Sequence, residues 1–475
     1  CTLLVLTVGG IVSGKAKNRN KVDFTLTDIA VCAYLLWGAV NIALVRKAVL
    51  DPFLIAKWTS LAGLYILVRH LGSKKVSFYA IALSGVVQSV IAILQHAGKI
   101  EGGHTAFAVT GSFGNPGPLG GYIAVCLTVT ICLLWNKVKE RHITSTLLLP
   151  IAVVLQLAGL YFADSRSAWI ASAAGVLYWL GKNHIILPKR SRIVVYIGVI
   201  FIVLIGGIAL YNYRPASADS RFLIWNVSSQ VAAERPLAGH GVGSFCRIYM
   251  PRQAEYFMEH PNSRYAIVAD NVAYPYNELL HIAIEQGIIG LLLALALLGI
   301  AFFRSREDVD NRIAKCGLSA LLIFSMFSYP ASVFPLLALF PVLLGCVDGM
   351  TTFTIRPGKG LQIVSVTVIT ILLACSVPVL IELQERRKEV QSKVNGSSGP
   401  TERYTNLENI VPNCENYCLL ADRYIQAGKV EQAEQTLISA SYMIPTRVRP
   451  KYKLWELYLF SGDTVRASET ARRII

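Results

Sequence analysis

Charge is scarce in this chain: Asp, Glu, Lys and Arg together make up 16% of its 475 residues, against roughly a quarter in an average soluble domain. The acidic half is the poorer, with 29 Asp and Glu against 45 Lys and Arg, a net charge of +16. The chain holds 10 cysteines, yet no Cys-x-x-Cys pair occurs and most lie inside apolar runs. That excludes a cysteine-ligated metal knuckle and a disulfide framework, and leaves small buried side chains. Cys414 and Cys418 share a helical face and would bond only with distortion.

So little charge, with a mean hydropathy of +0.50, makes this an integral membrane protein. Apolar runs long enough to span a bilayer lie at about 1–14, 26–45, 52–70, 76–98, 118–136, 144–163, 167–182, 193–212, 279–303, 316–348 and 361–382. The 316–348 run is broken at Tyr329-Pro330 and again at Pro335 and Pro341. Two short spans or a re-entrant pair are expected there, because prolines at depth need protein or water to satisfy the freed carbonyls. The chain opens on Cys1 within an apolar run and without an initiator Met, which reads as a fragment that has lost an earlier span.

A net positive charge raises the question of nucleic acid, and its placement answers no. Much of the excess sits in short loops between runs: Lys15, Lys17, Arg19 and Lys21; Lys74 and Lys75; Lys137, Lys139 and Arg141; Lys182, Lys189, Arg190 and Arg192; Arg304, Arg306, Arg312 and Lys315. That is the positive-inside pattern. The alternating segments near 99–117, 164–166 and 213–278 then lie outside the cytoplasm. If 316–348 crosses twice, so does the tail after 383. Arg46 and Lys47 fit this topology poorly.

The expected fold is all-α: a polytopic transmembrane bundle over 1–382, with a large outer insertion at 213–278, a linker at 383–400 and a helical-repeat tail at 401–475. In the tail, Leu420, Tyr424, Gly428 and Ala433 recur as Leu454, Tyr458, Gly462 and Ala467, the 34-residue period of tetratricopeptide repeats. Partner binding through a protein surface, or a plain structural cap, are both open for it. Two units fall short of the three or so that such arrays need, so the tail is expected to lean on the bundle or to continue.

Arg166 is the most informative residue. It sits in Ala163-Asp164-Ser165-Arg166-Ser167-Ala168-Trp169, a polar turn between two apolar runs. A guanidinium near membrane depth is tolerated mostly where it faces a bundle interior or wet cavity, and its fork matches phosphate oxygens. The alternative is an anchor at headgroup level. Three further outer segments stand out: Gly111-Ser112-Phe113-Gly114-Asn115-Pro116-Gly117; Ser220-Arg221-Phe222-Leu223-Ile224-Trp225 with Arg235-Pro236-Leu237-Ala238-Gly239-His240-Gly241-Val242-Gly243-Ser244-Phe245; and Tyr276-Asn277-Glu278-Leu279-Leu280-His281-Ile282-Ala283-Ile284-Glu285-Gln286-Gly287. The spaced glycines match no dinucleotide fingerprint, since no strand precedes them, and read as a tight turn.

Over roughly 105–345 these segments resemble the O-antigen ligase family, also called the Wzy-C group. Its pattern has an Arg-Ser turn, an Arg-x-x-x-Trp helix, a Pro-Leu-x-Gly-x-Gly-x-Gly-x-Phe turn and a His-Asn-x-x-Leu helix with Glu-x-Gly. The resemblance implies transfer of a glycan from an undecaprenyl-diphosphate carrier to a hydroxyl of lipid A core, of a glycan or of a protein, at the periplasmic face of the bacterial inner membrane. It implies neither metal nor cofactor. By resemblance Arg166 and Arg221 hold the diphosphate, with Ser165, Asn115, Asn277 and Trp225 as further substrate-binding candidates. Packing or a lipid boundary is the plainer reading for Trp225, and a turn for Asn115-Pro116.

The chemistry agrees, because fixed guanidinium forks at low dielectric stabilise charge developing on a departing diphosphate. The far-side segments also hold no Asp-x-Asp pair, which argues against a metal-dependent nucleotide-sugar enzyme. One departure stands out: Tyr276 occupies the family's His position, and a phenol with a pKa of about 10 is a poor base. His281 and Glu285 lie four and eight residues past Asn277, on one helical stripe. Glu285 would orient His281, or serve as base if desolvation raises its pKa. His281 packing at a helix contact is the alternative, and His240 and His260 are further candidate bases. Tyr276 would then donate to diphosphate or sugar. An O-antigen polymerase and a flippase for the same lipid-linked glycan are the competing functions. The flippase is disfavoured because no matching halves are visible.

Overall fold

The computed structural model describes residues 22–46, 52–104, 107–139, 145–182, 215–355, 413–472 and 474. The runs expected to span at 1–14, 193–212 and 361–382, and the linker at 383–400, lie outside them.

The described residues are helical almost throughout. A short strand β1 (Val22–Thr25) leads into α1 (Leu26–Val40), which widens into a π turn at Asn41–Arg46. Then come α2 (Pro52–Ile66), α3 (Lys74–His96), α4 (Pro116–Lys139), α5 (Ser145–Phe162) and α6 (Arg166–Lys182). Outside the bundle lie α7 (Pro215–Glu234) and α8 (Phe245–Glu259). The chain re-enters through α9 (Glu278–Phe303) and α10 (Val309–Ser325), and returns through the short α11 (Phe334–Leu337) and α12 (Leu339–Gly345) to strand β2 (Thr351–Ile355). Among the described residues four helices are long and apolar enough to cross a membrane: Leu26–Val45, Lys74–His96, Pro116–Lys139 and Glu278–Phe303.

α4 is the central helix: 83% of its span is buried, against 33% for α9. Small residues let its neighbours close in, as is usual where apolar driving force between helices is weak. A Cβ on Gly121 would fall 2.3 Å from the Phe324 ring of α10, and one on Gly175 of α6 would fall 2.6 Å from Thr128. The broken apolar run at 316–348 goes out and back. α10 ends at Ser325, a 3-10 turn at Pro330–Ser332 forms the tip, and Asp348 accepts the Arg306 N–H at 2.9 Å beside the start of α10.

At that starting end an ion network ties the bundle together. β1 pairs antiparallel with β2, Val22 opposite Ile355. Asp28 accepts from Arg69 Nε at 3.2 Å, from the Tyr65 hydroxyl at 2.6 Å and from Thr25 N–H at 2.7 Å. Arg69 also pairs with Asp348, and so does Lys74. The Arg69 and Asp28 side chains are 5% and 4% exposed. Removing one partner of a buried pair leaves the other uncompensated, a loss of about 3–5 kcal/mol. Arg69→Met should therefore lower thermal stability in detergent strongly, while Lys182→Met, whose 3.2 Å pair with Glu307 is half-exposed, should change it little. Equal melting temperatures for the two variants would contradict this.

The tail comprises α13 (Cys414–Gln426), α14 (Val430–Met443), α15 (Val448–Phe460) and α16 (Thr464–Arg472). The repeat positions share local geometry: Gly428 and Gly462 take φ of +72° and +76°, and Ala433 and Ala467 are buried. Cys414, Met443 and Ile444 enter the same apolar core as Leu223, Val227, Phe245, Tyr249 and Phe257 of the outer helices.

Candidate active site

At the end of the bundle opposite the ion network, two arginines from different elements meet. Arg166 opens α6, and its Nη2 donates to Ser217 Oγ at 3.3 Å. Ser217 lies on α7 one turn before Arg221, so the two guanidinium groups converge. Burial first, and the nearby charge of Arg166 second, hold the Arg221 guanidinium below the usual arginine value. Two like charges in a poorly hydrated place repel, so an anion beside Arg221 would be stabilised. Among the described residues no carboxylate pairs with Arg221; its guanidinium carbon lies 5.7 Å from the centroid of the Tyr276 ring.

An aromatic group walls the arginines. Tyr276 stands edge-on to Tyr329 with centroids 5.2 Å apart, and Tyr274 stacks on Tyr329 at 3.9 Å. Tyr276 takes φ of +53°, a left-handed conformation that a bulky residue adopts only when its surroundings over-determine it. Burial raises its phenol pKa, and Arg221 opposes that less strongly. The ring is therefore a hydrogen-bond donor near neutral pH. Trp225 touches this wall from behind: its Nε1 donates to the Pro275 carbonyl at 2.9 Å.

Several expected site residues also shape the backbone. Ser165 is buried where a Cβ on Gly120 would fall 2.5 Å from its own Cβ, so it seats α6 against α4. Asn115 Oδ1 accepts the Gly117 N–H at 2.9 Å, a turn at the start of α4. Asn277 caps α9, accepting from Leu280 N–H at 3.0 Å, which is the ordinary work of an asparagine at a helix start.

His281 and Glu285 are placed by the surrounding turn. The stripe exists: His281 Nε2 lies 3.3 Å from Glu285 Oε1. It faces the outer turn and not the arginines. Glu285 is buried and accepts the Phe245 N–H at 3.1 Å, and the His281 ring meets Phe245 edge-on at 5.7 Å. The other nitrogen, Nδ1, lies 3.1 Å from Glu278 Oε2. Each ring nitrogen thus faces a carboxylate oxygen within hydrogen-bond reach. In this arrangement His281 is held between Glu278 and Glu285. His240 is likewise engaged, with Nε2 2.9 Å from the Val231 carbonyl, and His260 Nδ1 lies 3.0 Å from the Tyr256 carbonyl.

The spaced glycines explain why Glu285 points outward. Gly239, Gly241 and Gly243 all take positive φ, and Gly287 breaks α9 with φ +67° and ψ −168°. The break frees the Ile284 and Glu285 carbonyls, which accept from His240 N–H at 2.8 Å and Gly241 N–H at 2.9 Å. In return Ile288 N–H donates to the Pro236 carbonyl at 2.8 Å. Buried Asn41 of the π turn locks this junction, donating to the Ala238 carbonyl at 2.7 Å and accepting the Val242 N–H at 2.9 Å.

Sequence reasoning missed Ser217, Tyr274, Tyr329, Asn41 and Lys57. Lys57 Nζ donates to the Ala331 carbonyl at 2.7 Å, and Glu278 accepts the Ala331 N–H at 2.8 Å. Together they hold the turn that carries Tyr329. Asn41 and Lys57 each interrupt an apolar run, which was a usable signal. Tyr329 was visible only as a helix break.

Residues 151–295 match the family Wzy_C, O-antigen ligase. The matched stretch takes in Arg166, Arg221, the glycine turn, Tyr276 and the break at Gly287; Asn115 and Tyr329 lie beyond it. No curated protein matches the chain.

Proposed function

We propose, from the premise of that O-antigen ligase stretch, that this membrane protein is a glycosyltransferase that moves a glycan from an undecaprenyl-diphosphate carrier to an acceptor hydroxyl, without metal or cofactor. The site end of the bundle is taken as the periplasmic face of a bacterial inner membrane. The tail is taken as a pair of tetratricopeptide-like units on the same side.

One observation carries the reading: Arg221 is half-buried beside Arg166 with no carboxylate of its own among the described residues. The Arg221 fork, with the Arg166 guanidinium beside it, suits the oxygens of a diphosphate. In the reaction the acceptor oxygen bonds to the anomeric carbon while the bond from that carbon to the diphosphate oxygen breaks. The electron pair and negative charge go to the diphosphate, where Arg166 and Arg221 already stand. Donors fixed in advance at the place where charge appears need not reorganise. Tyr276, protonated, adds a hydrogen bond to the same group or to the sugar. The proton of the acceptor hydroxyl leaves late, once bonding to the electron-poor carbon has made it acidic, and passes to the departing diphosphate.

A flippase fits less well. It would have to open both ends in turn, and the Asp28–Arg69–Asp348–Lys74 network with the β1–β2 pairing fastens the end away from the site.

The test is reconstitution of the purified protein with an undecaprenyl-diphosphate glycan, chelator present, against a series of acceptors: lipid A core, free glycan repeat and a hydroxyl-bearing peptide. Release of undecaprenyl diphosphate coupled to glycosylation of one acceptor is expected, and the acceptor chosen separates ligase from polymerase. No transfer to any acceptor would defeat the proposal, and activity that returns only on adding metal would defeat its metal-free part.

A further inference from the structure

Residues 269–277 connect the short 3-10 turn at Arg264–Val268 to α9 and carry Tyr276, yet they form neither helix nor strand. Their backbone and side-chain polar groups must find partners elsewhere, and those partners come from three directions. From α8, Gln253 Nε2 donates to the Asp270 carbonyl at 3.3 Å, the Val272 N–H meets Met250 Sδ at 3.4 Å, and Cys246 Sγ lies 3.2 Å from the Ala273 carbonyl. From α7, Trp225 donates to the Pro275 carbonyl.

The third direction is the tail. Asn271 Oδ1 accepts the Cys414 N–H at 3.1 Å, and its amide nitrogen donates to Glu415. Arg447 pairs with Asp270 at 3.0 Å and with Glu415 at 3.2 Å. Gln253 Nε2, besides Asp270, donates to the Met443 carbonyl at 2.6 Å. Apart from Arg447, which precedes α15, these contacts fall on the first residues of α13 and the last of α14, where helices expose N–H and C=O groups that have no partner in their own helix. Segment and tail thus complete each other. Gln253 is fully buried, and Cys414, Met443 and Ile444 seal the contact with apolar packing.

We infer that the tail is a clamp on the active-site segment, with Gln253, Asn271 and Arg447 as positioning residues that hold Tyr276 in its left-handed conformation beside Arg221. A strained residue keeps its conformation only while its neighbours forbid relaxation, and the tail supplies the holds at the segment's start. The inference takes the reaction from the function proposed above; the clamp itself is a structural claim that stands apart from it.

The experiment uses the full chain in nanodiscs with two variants, Gln253→Leu and the milder Arg447→Ala, and two readouts. The first is amide exchange of residues 270–277, which requires no activity. It should speed up about tenfold or more in Gln253→Leu, where buried carbonyls lose their donor. In Arg447→Ala it should rise about twofold, because the lost pairs are partly exposed. The second is turnover in a double-mutant cycle with Tyr276→Phe. Gln253→Leu should lower kcat about tenfold with the donor KM nearly unchanged, and should lower it little further once the hydroxyl of Tyr276 is gone. Arg447→Lys should restore most of what Arg447→Ala loses. Unchanged exchange in both variants, or losses that simply multiply in the cycle, would overturn the clamp. If Gln253→Leu does not fold, Arg447→Ala carries the same two comparisons. If the wild type transfers no glycan, the functional proposal fails while the exchange measurement still decides the clamp.

Discussion

Arg221→Ala and Arg166→Ala will each abolish glycan transfer while leaving the protein in the membrane at wild-type amount. The loss should be at least about a hundredfold, the scale set by removing one preorganised donor from the charge that develops in a transition state. Arg221 should be the more sensitive. Its guanidinium has no carboxylate among the described residues and rests on the Tyr276 ring, so its charge is available to substrate. Arg166 already donates to Ser217 and also fixes the start of α6. Lysine keeps the charge but not the fork, so Arg221→Lys should retain a small part of the activity and bind the donor more weakly. The reconstitution assay and a quantitative blot of the membrane fraction measure the two halves of the prediction. Wild-type turnover in either alanine variant would sink the diphosphate role.

Gly287→Ala will prevent the outer loop from seating. An added Cβ would lie 2.2 Å from the Leu237 carbonyl oxygen and 2.6 Å from the Ala238 nitrogen. Backbone stands there and cannot step aside. The backbone at φ +67° and ψ −168° is also a region used almost only by glycine, costing other residues about 1–3 kcal/mol; a forced clash adds about 1–3 more. Glycine at 239 is as constrained, since a Cβ there would fall 2.5 Å from the Glu285 carbonyl carbon. The expected result is loss of the monodisperse peak in detergent, or a large drop in melting temperature. Gly299→Ala on the same helix meets open space and should be tolerated. A stable, active Gly287→Ala would mean the turn and the broken helix do not interlock as described.

Much of the fold was legible in the sequence because a bilayer leaves few options. Long apolar runs with basic loops between them must be helices whose backbone groups pair internally, and those among the described residues are. The two arginines and the glycine turn were legible for a related reason, since charge and spaced glycine inside such a composition need a cause. What could not be read was which side of a helix meets what. Spacing put Asn277, His281 and Glu285 on one stripe, correctly, but periodicity does not say that Phe245 and the glycine turn cover that stripe. Tyr329 and Tyr276 are far apart in sequence and touch only because the chain after α10 doubles back. The tail's repeat was visible as a period, while its docking through Gln253 and Asn271 depends on helix ends that no pattern marks.

Glu278 accepts the Ala331 N–H and also sits against His281, and Lys57 anchors the same tip from α2. The stack of tyrosines is thereby bolted to the bundle from two sides. The floor of the candidate site is thus fixed. On the proposed reading, α7, α8 and the docked tail form the roof over that floor.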